Sequence, residues 1–344
     1  MFSNLFSPIK NRSLNLFDNS NRVARIIYRY SAYKKVFIHA LRNGVTAKEL
    51  LISKFPTIFH DTEIPSVLSL EFTNYCNLKC PYCTSPLDLR EKGFMTLEVL
   101  NKIVSELKNR KINRIQIVGN GESTLHPQFE YFIKQLTENS RYVSIVTNGQ
   151  WNKDETAHIL LKNNVNLIEF SIDAGGKEGY EASRINGSFK KLIDNLKKIN
   201  SLKKEYSSKS IILIRVMFRP SQINNREAEI NFWKQYADTV MPQYLNKING
   251  TSYENDLFIP EKKSSESYPK CSLPFYHCEI KWNGNVLMCY YSAFQIGQPG
   301  LILGNIKDLS IFDLWNHAIL KQYRKAHRTR NNGLMPICKG CPGT

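Results

Sequence analysis

From residue 67 onward the apolar positions of the chain switch repeatedly between two periods. "VLSLEF" (67–72) reads as a strand, and "TLEVLNKIVSELKN" (96–109) places its apolar residues at helical spacing. "RIQIV" (114–118) is again a strand and "QFEYFIKQLTEN" (128–139) again a helix. "YVSIVTNG" (142–149), "ETAHILLKNN" (155–164), "LIEFSIDA" (167–174), "SFKKLIDNLKKINSLKK" (188–204) and "SIILIRVMF" (210–218) continue the alternation. Repeated βα units predict an α/β fold with a parallel sheet and helices outside it. The expectation is a partial (β/α)6 TIM-like barrel, with function at the carboxyl ends of its strands.

The flanks follow other patterns. Residues 1–64 form an amino-terminal extension, helical in its spacing over 22–55 (Val23, Ile26, Ile27, Tyr30, Val36, Phe37, Ala40, Leu41). Residues 65–225 are the barrel core, and 226–270, polar and aromatic without clear period, complete the barrel or link it onward. In the last segment, 271–344, "EIKWNGNVLMC" (279–289) carries two short strands around Asn-Gly, a strong hairpin signal. A single helix, "SIFDLWNHAILKQYRKA", precedes a closing C-x2-C.

Composition narrows the class. At 344 residues, 42% hydrophobic, the chain can bury a large core, and no apolar run approaches the ~18 residues needed to cross a bilayer. The amino terminus lacks a continuous apolar stretch with a small-residue cleavage site, so the expected compartment is the cytoplasm. The formal charge of +17 suits a Lys-rich solvated surface, an anionic substrate, or a nucleic-acid or membrane-surface partner. A nucleic-acid partner is not expected.

The eight cysteines fall into two groups, Cys76, Cys80 and Cys83, then Cys271, Cys278, Cys289, Cys338 and Cys341. In a reducing compartment such clustering points to metal rather than disulfides. The first group, C-x3-C-x2-C, directly follows the first predicted strand and supplies three thiolates without a nearby fourth. A [4Fe–4S] cluster held by three thiolates keeps one iron open for a substrate or cofactor. The competing reading is structural zinc with a distant fourth ligand.

This array, with Tyr82 before its last cysteine, resembles the signature of the radical S-adenosylmethionine (SAM) enzymes. Further motifs match in order: "GNGES" (119–123) after the second strand, "TNG" (147–149) after the third, "FSIDA" (170–174) in the fourth, and Arg184 in "ASRINGSF". "NGES" replaces the commoner "GGEP" but keeps Glu122. The resemblance implies a [4Fe–4S] cluster bound by Cys76, Cys80, Cys83 and SAM. It also implies SAM contacts from Tyr82, Gly121, Glu122, Asn148, Ser171, Asp173 and Arg184, with Glu122 on the methionine ammonium and Arg184 near the carboxylate. The chemistry implied is a 5′-deoxyadenosyl radical that abstracts a substrate hydrogen, fed by an electron donor such as flavodoxin or ferredoxin.

The second array, Cys271, Cys289, Cys338 and Cys341, has enough thiolates for one all-protein cluster, with zinc as the alternative on spacing alone. Within the resemblance it is similar to a SPASM or shortened twitch extension carrying one auxiliary [4Fe–4S] cluster. Cys278 has three readings: a small buried residue in period with Ile280 and Trp282, a ligand in place of Cys271, or a hydrogen-atom donor to a substrate radical. The function expected is a radical SAM oxidoreductase or epimerase acting on a polar small molecule of sugar or cyclitol type. Tyr290, Tyr291 and Arg215 are neighbours from which a base could come. A maturase of ribosomal peptides is the alternative, and a non-catalytic basic zinc protein that binds nucleic acid is the alternative of another class.

Overall fold

The computed structural model describes residues 33–52, 62–83, 85, 90–110, 112–244, 271–287, 289, 302–329, 331, 333 and 338. The expectations placed on 1–32, 53–55 and 245–270, and on Tyr290, Tyr291 and Cys341, fall outside these residues.

Six strands follow one another with helices between them: β1 (Val67–Leu70), β2 (Arg114–Ile117), β3 (Tyr142–Thr147), β4 (Leu167–Asp173), β5 (Ile211–Phe218) and β6 (Thr239–Tyr244). The intervening helices are α1 (Leu97–Arg110), α2 (Phe129–Asn139), α3 (Thr156–Lys162), α4 (Gly176–Ser183), α5 (Phe189–Glu205) and α6 (Arg226–Trp233). All neighbouring pairs among β1–β6 are parallel. Strand β6 lies in the stretch that carries no period in the sequence. It contains Pro242, and it ends the strand order β6-β5-β4-β3-β2-β1-β7-β8-β9. An edge is where a residue without an N–H is tolerated.

The carboxyl-terminal region continues this sheet. Strand β7 (His277–Ile280) pairs in parallel with β1, with Ser69 opposite Glu279, and turns through Asn283-Gly284 into antiparallel β8 (Asn285–Leu287). Strand β9 (Ile302–Asn305) then pairs with β8, and the last long helix is α7 (Ala318–Thr329). No helix among the described residues is long and apolar enough to cross a membrane.

The two faces of the sheet differ because alternate residues point to opposite sides. On the helix-covered face Leu68, Leu70, Ile115, Ile117, Val143, Ile145, Ile168 and Phe170 form one core with α1, α2 and α5. Helix α5 shows the logic: Leu192, Leu196, Ile199 and Leu202 are buried at helical spacing, and Ser188 caps its amino end by accepting from Lys191 N at 3.3 Å. The opposite, inner face carries polar and charged residues higher up, but near the amino ends of the strands it is apolar. There Tyr142, Leu167, Ile211, Leu213 and Met241 are covered by Ala40, Val45 and Leu50 of the amino-terminal helices. The extension therefore closes the floor of the inner face, and His39, Asn43 and Lys35 bond it to Lys209 O, Asn166 and Asp238 O.

Leu213 is 1% exposed in this floor. Leu213→Ala is expected to cost about 2–5 kcal/mol in denaturant unfolding. Hydrogen exchange in residues 33–52 should rise before exchange in β4 does; an unchanged midpoint would contradict the packing described.

Candidate active site

The loops that leave β1, β2 and β3, with the last turn of β4, meet at one end of the sheet. The loop after β1 brings Cys76, Cys80 and Cys83 together, Cys80 buried and the other two half-buried. Cys83 N donates to Cys80 O at 3.0 Å, and Lys79 N reaches Ile185 O at 3.0 Å, which ties this loop to the turn after α4. Two backbone donors already face sulfur: Leu78 N to Cys76 at 3.5 Å and Ser85 N to Cys83 at 3.3 Å. Asn148 Nδ2 lies 3.8 Å from Cys76 Sγ. Burial pushes all three thiols up, Cys76 to about 12, with the nearby sulfurs adding to the effect at Cys76. Three neighbouring thiolates are stable there only beside a strongly cationic group. Among the described residues no three His, Cys, Asp or Glu side chains are placed to hold a single ion. The donor set suits three corners of an iron–sulfur cluster rather than tetrahedral zinc.

Glu122 organises the next two loops. It is 3% exposed; Oε1 accepts from Thr124 Oγ1 (2.7 Å) and Thr147 Oγ1 (2.8 Å), and Oε2 from Asn148 N (2.7 Å). Burial pushes its carboxyl up, and these donors oppose that. Gly121 lies against the segment before the cysteines: a Cβ there would fall 2.3 Å from Tyr75 O and 2.5 Å from Thr73 O. The same approach lets Glu122 N donate to Tyr75 O at 2.8 Å.

A second cluster joins Tyr82, Ser171, Asp173 and Arg184. Tyr82 OH donates to both Asp173 oxygens (2.7 and 2.8 Å), Arg184 Nε donates to Asp173 Oδ1 (2.9 Å), and Arg184 Nη2 donates to Ser171 Oγ (3.1 Å). Burial alone would lower the Arg184 pKa, but Asp173 holds it well above the ordinary value. The residues expected from sequence around the first cysteine array are thus brought together, in two groups flanking the cysteine loop.

Sequence reasoning missed what supports them. Glu71, fully buried at the end of β1, accepts from Arg90 (2.9 and 3.2 Å), Asn120 N (3.0 Å) and Lys281 Nζ (3.2 Å), and Lys281 also bonds Glu279. Burial pushes the Glu71 carboxyl up, but Lys281 and Arg90 outweigh it and hold it below the usual range. Asn77 was missed too; it accepts from Asn148 Nδ2 at 2.8 Å and donates to Gln150 O at 2.8 Å. The available signal was a charge inside an apolar strand: Glu71 in "VLSLEF" and Lys281 in "EIKW".

The family model described as the radical SAM superfamily matches residues 70–217, and that of the iron–sulfur cluster-binding SPASM domain matches 271–342. The chain is a radical SAM enzyme with a carboxyl-terminal SPASM domain. It is 22% identical over 314 residues to the tungsten-containing aldehyde ferredoxin oxidoreductase cofactor-modifying protein of Pyrococcus furiosus, covering 80% of this chain and 86% of that one. It is 31% identical over 144 residues to the mycofactocin maturase MftC of Mycobacterium ulcerans, covering 42% of this chain and 38% of that one. It is 30% identical over 164 residues to the cysteine-type anaerobic sulfatase-maturating enzyme of Clostridium novyi, covering 43% of each. Among solved structures it is similar in fold to BtrN in complex with AdoMet and 2-DOIA, with TM-score 0.56, 19% identity, and coverage of 83% of this chain and 95% of that one. The cofactors of this radical SAM enzyme are a [4Fe–4S] cluster, SAM and an auxiliary iron–sulfur cluster.

In the SPASM domain Cys271, Cys289 and Cys338 are half-buried, and the last two pack against the main core. Three half-buried thiols drawn from both ends of one small domain are a donor set that fits an iron–sulfur cluster. Cys278 differs. It is 2% exposed, its register neighbour is Leu68, and it belongs to the apolar core on the helix-covered face. Glu279 and Lys281, one residue out of phase, take the other face, so Cys278 packs on the face away from the ion pairs and is not placed to donate a hydrogen atom there. Arg215 is not a free base either: its guanidinium is held by both oxygens of Glu169 and lies 3.2 Å from Met241 Sδ.

Gly121→Ala should push the loop off Tyr75 and Thr73 and displace the cysteines that follow. Anaerobically reconstituted Gly121→Ala is expected to lose most of the iron of the first cluster and retain that of the auxiliary one, by iron and sulfide analysis. Full iron at both would contradict the close approach.

Proposed function

We propose that this enzyme is a maturase that oxidises a residue of a polypeptide substrate. Support for the polypeptide comes from sequence kinship with enzymes whose names state maturation, the mycofactocin and sulfatase-maturating relatives at 30–31% identity. The sugar or cyclitol expected from sequence gives way to this reading, because the likeness to BtrN, at 19% identity, concerns the fold alone.

When bound, the cofactors supply a 5′-deoxyadenosyl radical for hydrogen abstraction, and the auxiliary cluster a place for the electron the substrate gives up. Cys76, Cys80 and Cys83 hold the first cluster, with the Leu78 and Ser85 amides supporting sulfur charge. Glu122 Oε2, which accepts a bond from Asn148 N, has a lone pair to accept the SAM ammonium. Gly121 lets the loop that carries Glu122 pack directly on the Thr73–Tyr75 backbone before the cysteines, which sets Glu122 beside them. Arg184 is neutralised on one side by Asp173, which Tyr82 OH holds in place, and Ser171 Oγ accepts from its Nη2; its remaining N–H groups are offered to the SAM carboxylate. The floor formed by the amino-terminal helices excludes water from the opposite end. A low-potential donor of flavodoxin or ferredoxin type supplies the electron.

The test incubates reconstituted enzyme, SAM and dithionite with two panels. One holds peptides containing Cys, Ser, Tyr or Val at the reacting position, and the other holds sugars and aminocyclitols. A peptide that stimulates 5′-deoxyadenosine formation and itself loses a pair of hydrogens is the expected result. Stimulation by a small molecule with every peptide inert would overturn the reading.

A further inference from the structure

Among the described residues, a side chain that no cysteine pattern announces lies at a sulfur of the auxiliary array. Helix α7 is clamped by Arg324, which is fully buried. Its Nε donates to Pro274 O (2.7 Å), its Nη2 to Trp315 O (3.0 Å), and its guanidinium lies 4.1 Å over the Trp315 ring. Pro274 belongs to the helical turn Leu273–Tyr276 just after Cys271, so α7 is fixed to the beginning of the SPASM domain. Three residues further along the same helix, His327 is half-buried, and its Nε2 lies 3.7 Å from Cys338 Sγ near the end of the domain. Asn331 N closes the helix exit onto Ala326 O at 3.1 Å.

We propose that His327 donates a hydrogen bond to the Cys338 thiolate of the auxiliary cluster and thereby sets its reduction potential. A metal-bound thiolate can only accept, so the contact requires the proton on Nε2. Hydrogen bonds to cluster sulfur stabilise the more negative, reduced state and raise the potential. His327 is thus a positioning residue that makes the auxiliary cluster a better acceptor for an electron from substrate. It is not a fifth ligand, because each cluster iron takes one protein donor and the cysteines of the array already suffice. The inference rests on the auxiliary cluster and not on the identity of the substrate.

The experiment is an EPR-monitored redox titration of the reconstituted full chain. It is run in a background with Cys76, Cys80 and Cys83 replaced by Ala, so that only the auxiliary cluster reports. His327→Phe is expected to keep its iron and shift the midpoint to a more negative potential. His327→Gln, which retains an N–H donor on a side chain of similar reach, is expected to return it toward the parent value. An unchanged midpoint in His327→Phe overturns the proposal. Loss of iron in that variant also overturns it, by making His327 a ligand or a structural support. Failure of the polypeptide reading appears in the substrate assay and leaves these midpoints as they are. A parent chain without auxiliary iron removes the proposal at its base.

Discussion

The arrangement of the site depends on one buried carboxylate. Glu71 has no contact with solvent, and an unpaired carboxylate in that position would cost several kcal/mol. Its partners come from separate segments: Arg90 beyond the cysteine loop, Asn120 in the loop after β2, and Lys281 after β7. Satisfying the charge therefore fixes the end of β1, from which the cysteine loop departs five residues later, against the SPASM strand. Gly119 belongs to the same constraint, since any Cβ would lie 2.4 Å from Glu71 Cγ. Lys281 is shared with Glu279, so the charges close on themselves within the protein rather than on solvent.

The same division recurs across the sheet. One face is apolar and covered by helices, and the other carries the ion pairs Glu71–Lys281, Glu169–Arg215 and Asp173–Arg184 above an apolar floor. Paired charges hold fixed dipoles along this face. Alternation along β7 assigns Cys278 to the first face and Glu279 to the second, a one-residue difference that decides whether a side chain takes part in chemistry or in packing.

Much of this was legible in the sequence where one period dominates. Strands β1–β5 and helices α1, α2 and α5 follow from apolar spacing, the Asn-Gly hairpin from its turn, and the first cluster from three cysteines after a strand. Strand β6 was hidden because Pro242 interrupts it and the stretch around it carries no clear period, although an edge position accommodates the proline. Glu71 and Lys281 were visible as misplaced charges, but their pairing joins residues 210 apart and appears only once β1 and β7 are adjacent. His327 had no signal at all, since an isolated histidine in a basic helix reads as surface. The substrate expectation moved because it rested on the layout of one auxiliary cluster beside the core, which is a property of the fold and does not report the substrate.

Anaerobic reconstitution followed by iron and sulfide analysis, then addition of SAM and dithionite, tests the central claim most directly. The account predicts about eight irons per chain in two clusters, with SAM cleaved to 5′-deoxyadenosine. Zinc without sulfide, and SAM recovered intact, would contradict it.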